Sequence, residues 1–167
     1  MRKILLLPTT GLILFASSLL WAASATSFTA TPSAITFTAN NPGGTVTANQ
    51  TATVQFTISS SSNNSTWTLS AGTAATSFTG CTTVPASAIT VKCLSAANTG
   101  GGQGNAACNA TAFTTLPSTL PGLQVASGKQ GNQTPIVTVT LNYQIADSWK
   151  YVANICPLTV TYTAAFQ

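Results

Sequence analysis

The clearest hydrophobic pattern lies in the last 33 residues of the chain. Every second residue is apolar from Val137 to Ile145 and again from Leu158 to Phe166, and threonines fill many of the positions between. A period of two predicts β-strands with one buried face. A slip of one residue would turn either apolar row into water, so the two strands should pair in a fixed register. We therefore expect a second sheet, formed by the upstream chain, to cover this pair.

Shorter alternating runs precede these strands. They include the segment 33–39 with Ile35 and Phe37, the segment 50–59, and the segment 66–71 with Trp67. No segment keeps a period of 3.6 residues, so we predict very little helix. Roughly eight to ten short strands separated by turn signals are typical of a β-sandwich. The predicted fold class is all-β, an immunoglobulin-like or jelly-roll sandwich of short antiparallel strands, with the strand order open.

The first 25 residues have the features of a secretory signal peptide. Arg2 and Lys3 form a charged start, a mostly apolar run follows to Leu20, and Ala23-Ser24-Ala25 is a small-residue cleavage pattern. A retained membrane anchor is the alternative, but Pro8 and several hydroxyl residues interrupt the run. We predict cleavage after Ala25, one domain over residues 26–167 without a membrane span, and a secreted, extracellular or cell-surface location.

Charged side chains are rare in the predicted domain. Lys92, Lys129, Lys150 and Asp147 are the full set after residue 25. Three scattered lysines do not form a phosphate-binding surface, so we do not expect nucleic acid as a partner. A surface of Thr, Ser, Asn and Gln has little charge to prevent association of sheet edges. Copies of the same chain are the expected partners, and a soluble monomer is the alternative.

Four cysteines, an even number in a chain with a predicted secretory leader, indicate two disulfides. We favour Cys93 with Cys108, which bracket a glycine-rich segment, and Cys81 with Cys156. Pairing of Cys81 with Cys93 and of Cys108 with Cys156 stays open. The chain has no histidine and no Cys-x-x-Cys spacing, so we expect neither a metal nor a cofactor.

The glycine-rich segment 100–105 lacks the lysine and the Ser/Thr of a nucleotide-binding loop. We expect a hairpin tip.

The inventory of reactive side chains argues against catalysis. The chain has no histidine and no glutamate, and Asp147 is its one acid. Glycoside hydrolysis needs two carboxylates, and a serine triad needs a base. Asp147 with Lys150 resembles an isopeptide-forming pair, but their place between two strands favours a turn cap or an exposed ion pair. We expect no enzyme activity.

Two further sets of residues are candidate binding or modification sites. Trp149 and Tyr151 are two residues apart and form a candidate platform for glycans or other surface proteins, although we favour a core position for both. Five Asn-x-Ser/Thr sequons are candidate glycosylation sites. They begin at Asn49, Asn63, Asn64, Asn109 and Asn132.

Short motifs resemble two bacterial surface families. The segments 31–38 and 50–54, followed by Trp67, resemble the opening of bacterial immunoglobulin-like modules such as BACON domains. A second set is similar to the WxL surface domain: residues 67–71, 78–79, 84–91 and 162–164. Both resemblances imply a secreted β-sandwich at a bacterial cell surface.

The two ends of the predicted domain resemble those of chaperone-usher pilins. An extended arm around Phe28 stands at one end, and an alternating strand at the other. Residues of that strand that we predict to act in self-assembly are Leu158, Val160, Tyr162 and Phe166. The resemblance implies that an arm from one subunit fills a groove in the next. We expect a filament or coat subunit, and the alternative is a monomeric adhesion or carbohydrate-binding module.

Overall fold

A computed structural model describes residues 2–8, 24–39, 42–59, 65–100, 104–131, 133–151 and 156–167. These residues form an all-β sandwich of two six-stranded sheets, which confirms the predicted fold class. They contain no α-helix, and the turn Ala86–Ala88 is their one 3-10 helix. Alternating side chains from both sheets meet in one core, in which Trp67 is almost fully buried.

Strands are numbered in chain order. Sheet I contains, in spatial order, β10 (Asn105–Cys108), β12 (Leu123–Lys129), β6 (Thr66–Gly72), β14 (Cys156–Phe166), β1 (Arg2–Pro8) and β3 (Ile35–Ala39). Sheet II contains β11 (Thr114–Thr115), β9 (Ile89–Thr99), β13 (Ile136–Ala146), β5 (Ala52–Ser59) and β2 (Ser24–Thr31), with β4 (Thr45–Thr47) also on β13. A separate hairpin joins β7 (Ser77–Phe78) and β8 (Cys81–Pro85).

The two long C-terminal strands do not pair with each other. β13 lies in sheet II between β9 and β5, and β14 lies in sheet I between β6 and β1. Their apolar rows face each other across the core, and the hydroxyls of Tyr143 and Tyr162 meet at 2.7 Å. The predicted pairing of these strands is therefore wrong. An alternating pattern requires a buried face, and here each strand helps to cover the other.

The buried tyrosine pair predicts loss of stability in alkali. Burial, and then the neighbouring Tyr162, raise the pKa of Tyr143 well above its usual value. Burial also raises the pKa of Tyr162, to about 12, although the hydrogen bond to Tyr143 acts in the opposite direction. The unfolded chain loses these protons at about pH 10, before the folded chain does. Each tyrosine should therefore lower the free energy of unfolding by about 1.4 kcal/mol per pH unit between about pH 10 and 12.

Urea titrations of the full chain at several pH values will measure this slope. Tyr143→Phe removes one ionisable group of this pair and should reduce the slope by about 1.4 kcal/mol per pH unit. A stability that stays constant up to about pH 12 would contradict the assignment of these two groups.

The two disulfides join Cys81 to Cys156 and Cys93 to Cys108, which confirms the favoured pairing. The first attaches the β7–β8 hairpin to the start of β14. The second connects β9 in sheet II with β10 in sheet I. Because β9 and β10 lie in different sheets, the glycine-rich segment between them joins the sheets, and the predicted hairpin tip is wrong. Residues 101–103 of that segment lie outside the described residues.

Candidate functional site

The candidate site lies in sheet I, where β1 separates β3 from β14. β1 runs parallel to β14, and the register extends from Ile4 opposite Cys156 to Pro8 opposite Val160. On its other edge β1 runs antiparallel to β3, from Arg2 opposite Ala39 onward. Among the described strands, β1 is the one sheet neighbour of β3. The backbone of β1 therefore connects β3 to the rest of sheet I.

The strands on either side of β1 place buried residues at alternate positions. Position 4 of β1 lies between Phe37 and Cys156, and position 6 lies between Ile35 and Leu158. All four of these flanking residues are buried. Adjacent strand residues share a face when they are opposite each other in register. A strand in this place therefore needs apolar residues at positions 4 and 6.

The intervening positions have more exposed neighbours. Position 5 lies opposite the half-buried Thr36 and Pro157, and position 7 lies opposite the exposed Thr159. These positions tolerate polar side chains because they belong to the outer face of the sheet. A strand in this place thus needs apolar residues at positions 4 and 6 but tolerates polar residues at positions 5 and 7. This difference follows from the backbone register.

The whole of β1 lies within the predicted signal peptide. Cleavage after Ala25 would remove Arg2–Pro8 and the first two residues of β2. The backbone of β14 from Cys156 to Val160 and the facing edge of β3 would then lose their hydrogen-bonding partner strand. The buried residues that flank positions 4 and 6 would also lose a neighbouring strand. We call this opening, between β3 and residues 156–160 of β14, the β3–β14 groove.

β3 keeps a second attachment that does not involve β1. The backbone N–H of Asn49 donates to the carbonyl oxygen of Thr36 at 3.0 Å. The backbone N–H of Thr36 donates to Oδ1 of Asn49 at 2.9 Å. These bonds hold the outer edge of β3, while Ile35 and Phe37 hold it to the core. We expect these contacts to keep β3 attached to the domain when β1 is absent.

The predicted arm around Phe28 forms β2, an edge strand of sheet II. β2 pairs with β5 alone, and its register is interrupted by a bulge between Thr26 and Thr29. Ser27, within this bulge, has a φ of 56°, which is uncommon for a residue other than glycine. The ring of Phe28 stacks on Phe56 with 5.8 Å between centroids. In this structure Phe28 thus packs on its own domain, at an irregular sheet edge.

The four residues of β14 that we predicted to act in self-assembly fall into two groups. Leu158 and Val160 are buried and lie in the part of β14 that pairs with β1. Tyr162 is buried and Phe166 is half-buried, and both lie in the part that pairs with β6. The ring of Phe166 lies edge-to-face with that of Phe56, with 6.3 Å between the ring centroids. Leu158 and Val160 line the β3–β14 groove, whereas Tyr162 and Phe166 belong to the adjoining core.

Trp149 and Tyr151 do not form a common platform. Trp149 is 80% exposed, whereas Tyr151 is only 8% exposed. The backbone N–H of Tyr151 donates to the carbonyl oxygen of Ser148 at 3.0 Å, so a turn connects the two residues. In a turn, residues two apart need not share a face as they do in a strand. Our expectation of a core position is wrong for Trp149 and correct for Tyr151.

Asp147 lies at the start of the same turn and is buried. Its Oδ1 accepts a hydrogen bond from the backbone N–H of Ser148 at 2.8 Å. Backbone hydrogen bonds join Asp147 to Gly43 and Gly44. Burial, and then the charge of Asp147, raise the pKa of Tyr151. These contacts give Asp147 the predicted role of a turn cap.

The candidate glycosylation sites occupy different settings. Asn49 and Asn109 are exposed, although Oδ1 of Asn49 is engaged with β3 as described above. Asn63, Asn64 and Asn132 lie outside the described residues. In the part of the chain that the structure describes, no three His, Cys, Asp or Glu side chains gather in a way suited to a metal ion. No helix among these residues is long and apolar enough to cross a membrane.

The strand at Arg2–Pro8 is the part of this site that sequence reasoning missed. Its residues 4–7 are continuously apolar, which fits both a signal-peptide core and a buried strand. The flanking charges and the cleavage pattern favoured the first interpretation. Only the backbone register with β3 and β14 distinguishes the second. In comparisons with known proteins, no family model and no curated protein matches the chain.

Proposed function

We propose that this chain is a non-catalytic structural protein of the cell surface, whose processed form, residues 26–167, assembles into a filament or coat. Each processed subunit would accept a strand from a neighbouring copy in its β3–β14 groove. One observation carries the proposal. The strand that fills this place is part of the predicted signal peptide, so cleavage after Ala25 would leave sheet I one strand short.

The processed N-terminal arm, residues 26–31, is the donor that best fits the groove. It forms six residues of an edge strand, and the ladder that joins β1 to β14 contains five residue pairs. Phe28 and Ala30 are separated by one residue and share one face of the arm, as groove positions 4 and 6 do. Its single sheet neighbour and its bulge leave the arm less firmly held than an interior strand.

No charge repulsion between side chains opposes pairing of the arm with the groove. No side chain of the arm, of β3 or of β14 is charged, and the α-amino group that cleavage creates at Thr26 is the one charge on the arm. Backbone pairing would therefore supply the main attraction, with the apolar residues of the arm adding burial. Donor and acceptor are different surfaces of the subunit, so the contact is head-to-tail. Repeated contacts of this kind extend into a chain when they do not close into a ring.

Electron microscopy of the processed chain tests this assembly. Residues 26–167, folded under oxidising conditions and concentrated, should form linear arrays of globular subunits. A shorter chain, residues 32–167, keeps the groove but lacks the arm, and added in small amounts it should shorten these arrays. Isolated globules at every concentration would contradict the proposal.

Two substitutions within the arm provide a matched comparison. Phe28→Ser removes the main apolar side chain of the arm and should abolish arrays. Thr29→Ser changes an exposed neighbour and should leave them unchanged. Because Phe28 also stacks on Phe56, the melting temperature of both variants must be measured alongside. Arrays that form equally well with both variants would exclude Phe28 from assembly.

The exposure of Trp149 favours a second candidate function, binding of glycans by a monomer. An indole that is 80% exposed offers a flat apolar face to a sugar ring. Trp149→Ala should abolish glycan-array binding while changing the free energy of unfolding by less than about 0.5 kcal/mol. Leu120→Ala, at another exposed apolar residue, is the control. Unchanged glycan binding by the Trp149 variant would remove this candidate.

A further inference from the structure

Building on the assembly site proposed above, we infer that the predicted signal peptide is also the first ligand of the β3–β14 groove. In the unprocessed chain, Arg2–Pro8 binds there as an extended peptide, parallel to β14. The groove is thereby closed against other copies. Its availability depends on removal of the leader, and folding alone does not open it.

Both edges of the leader strand support this closure. One edge forms a five-pair parallel ladder with β14, and the other forms a five-pair antiparallel ladder with β3. A strand that is paired on both sides leaves no free backbone edge for another strand to join. The occupied groove is thus unable to accept a second strand until β1 leaves.

The composition of the leader strand suits the groove. The register with β14 begins at Ile4, so the basic residues Arg2 and Lys3 precede it. Every position that faces β14 is therefore uncharged. The apolar residues Ile4 and Leu6 occupy the two positions whose flanking residues are buried on both sides. The groove thus selects an alternating apolar peptide in one direction.

The covalent link to the domain favours the leader strand over an arm from another subunit as the occupant of the groove. Fifteen residues, 9–23, join β1 to β2. A segment on such a short tether has an effective concentration on the order of millimolar at its own site. An arm from another subunit at micromolar concentration would face about a thousandfold disadvantage. Cleavage removes this disadvantage, because a released leader peptide is diluted into solution.

A peptide of residues 2–8, with a fluorophore at its N-terminus, tests binding to dilute, monomeric chain 26–167. Two double substitutions in the peptide provide the matched comparison. Ile4→Ser with Leu6→Ser removes the residues beside buried neighbours and should weaken binding at least tenfold. Leu5→Ser with Leu7→Ser removes the same apolar content from the other face and should weaken it less than threefold. Equal losses for the two peptides, or no binding by the unchanged peptide, would overturn the inference.

A peptide with the residue order of 2–8 reversed tests direction. It has the same composition and should bind at least tenfold more weakly than the unchanged peptide. Equal affinity for both orders would contradict the parallel arrangement.

The full chain supplies a test that does not depend on folding of the processed form. Hydrogen exchange should show protected amides among Cys156, Leu158, Thr159 and Val160 of the full chain, since Pro157 has no amide hydrogen. The Ile4→Ser and Leu6→Ser double variant should reduce this protection, and the Leu5→Ser and Leu7→Ser variant should keep it. Equal protection in both variants would overturn the inference.

These experiments separate the leader's role from assembly. If the processed chain binds the peptide but never forms arrays, the proposed function fails and the inference holds. If arrays form but the peptide neither binds nor slows their growth, the inference fails and the proposed function holds.

Discussion

Removal of residues 1–25 should lower the free energy of unfolding of the monomer by about 5 kcal/mol. The reason is that the backbone of β1 lies between β3 and β14, beside the buried residues Ile35, Phe37, Leu158 and Val160, and its removal should expose part of these side chains. Complete exposure of one such side chain costs about 1.5–3 kcal/mol, and partial exposure of four gives the figure above. Small domains are typically stable by about 5–15 kcal/mol, so the processed monomer should be only marginally stable.

Urea denaturation at low protein concentration will measure this loss. The full chain and residues 26–167 should be compared with both disulfides intact. Since assembly binds the folded state, the melting temperature of the processed chain should also rise with protein concentration, whereas that of the full chain should not. A difference in stability below about 1 kcal/mol would mean that β1 covers little of the core.

Loss of the Cys81–Cys156 disulfide should destabilise the processed chain more than loss of the other disulfide. The two cysteines are 75 residues apart. Such a crosslink lowers the conformational entropy of the unfolded chain and thereby stabilises the folded state by about 4 kcal/mol. The Cys93–Cys108 disulfide spans 15 residues and should contribute about 3 kcal/mol. Cys156 is also the first residue of β14 beside the groove, so its attachment to β8 fixes that end of the site.

The double variants Cys81→Ala with Cys156→Ala, and Cys93→Ala with Cys108→Ala, are the matched pair for this comparison. Urea denaturation should show the larger loss for the first. Binding of the leader peptide should weaken in the first variant and stay within about twofold in the second, whose disulfide connects β9 and β10 outside the groove. A larger loss of binding in the second variant would contradict this account of the groove.

Much of the fold follows directly from alternation in the sequence. In β5 the apolar residues Ala52, Val54, Phe56 and Ile58 are all buried, as a period of two requires. The alternation did not show that β13 and β14 lie in different sheets. An apolar row shows that a strand has a buried face, but it does not identify the neighbour in the sheet or the strand across the core.

Local geometry explains why the predicted core position of Trp149 is wrong. Trp149 and Tyr151 have the spacing of two residues on one face of a strand, but they belong to a turn that follows β13. Their exposures differ because the direction of a side chain changes from residue to residue in a turn. The Asp147 cap that shapes this turn was predictable from sequence, whereas its effect on Trp149 was not.

Only part of the β3–β14 groove could be predicted from the sequence. Alternation identified Leu158 and Val160 as residues of a buried face, and low charge indicated a surface open to association. The missing element was the neighbour of that strand. A signal-peptide core and a buried strand are both short apolar runs, so only backbone pairing shows that Arg2–Pro8 fits between β3 and β14.

Light scattering after gel filtration measures whether removal of the leader causes the subunits to assemble. The full chain, with residues 1–25 retained, and the processed chain 26–167 should be compared at the same concentration with intact disulfides. The full chain should have the mass of one subunit, and the processed chain should have a mass of many subunits that rises with concentration. A single-subunit mass for both, or equal assembly by both, would contradict this expectation.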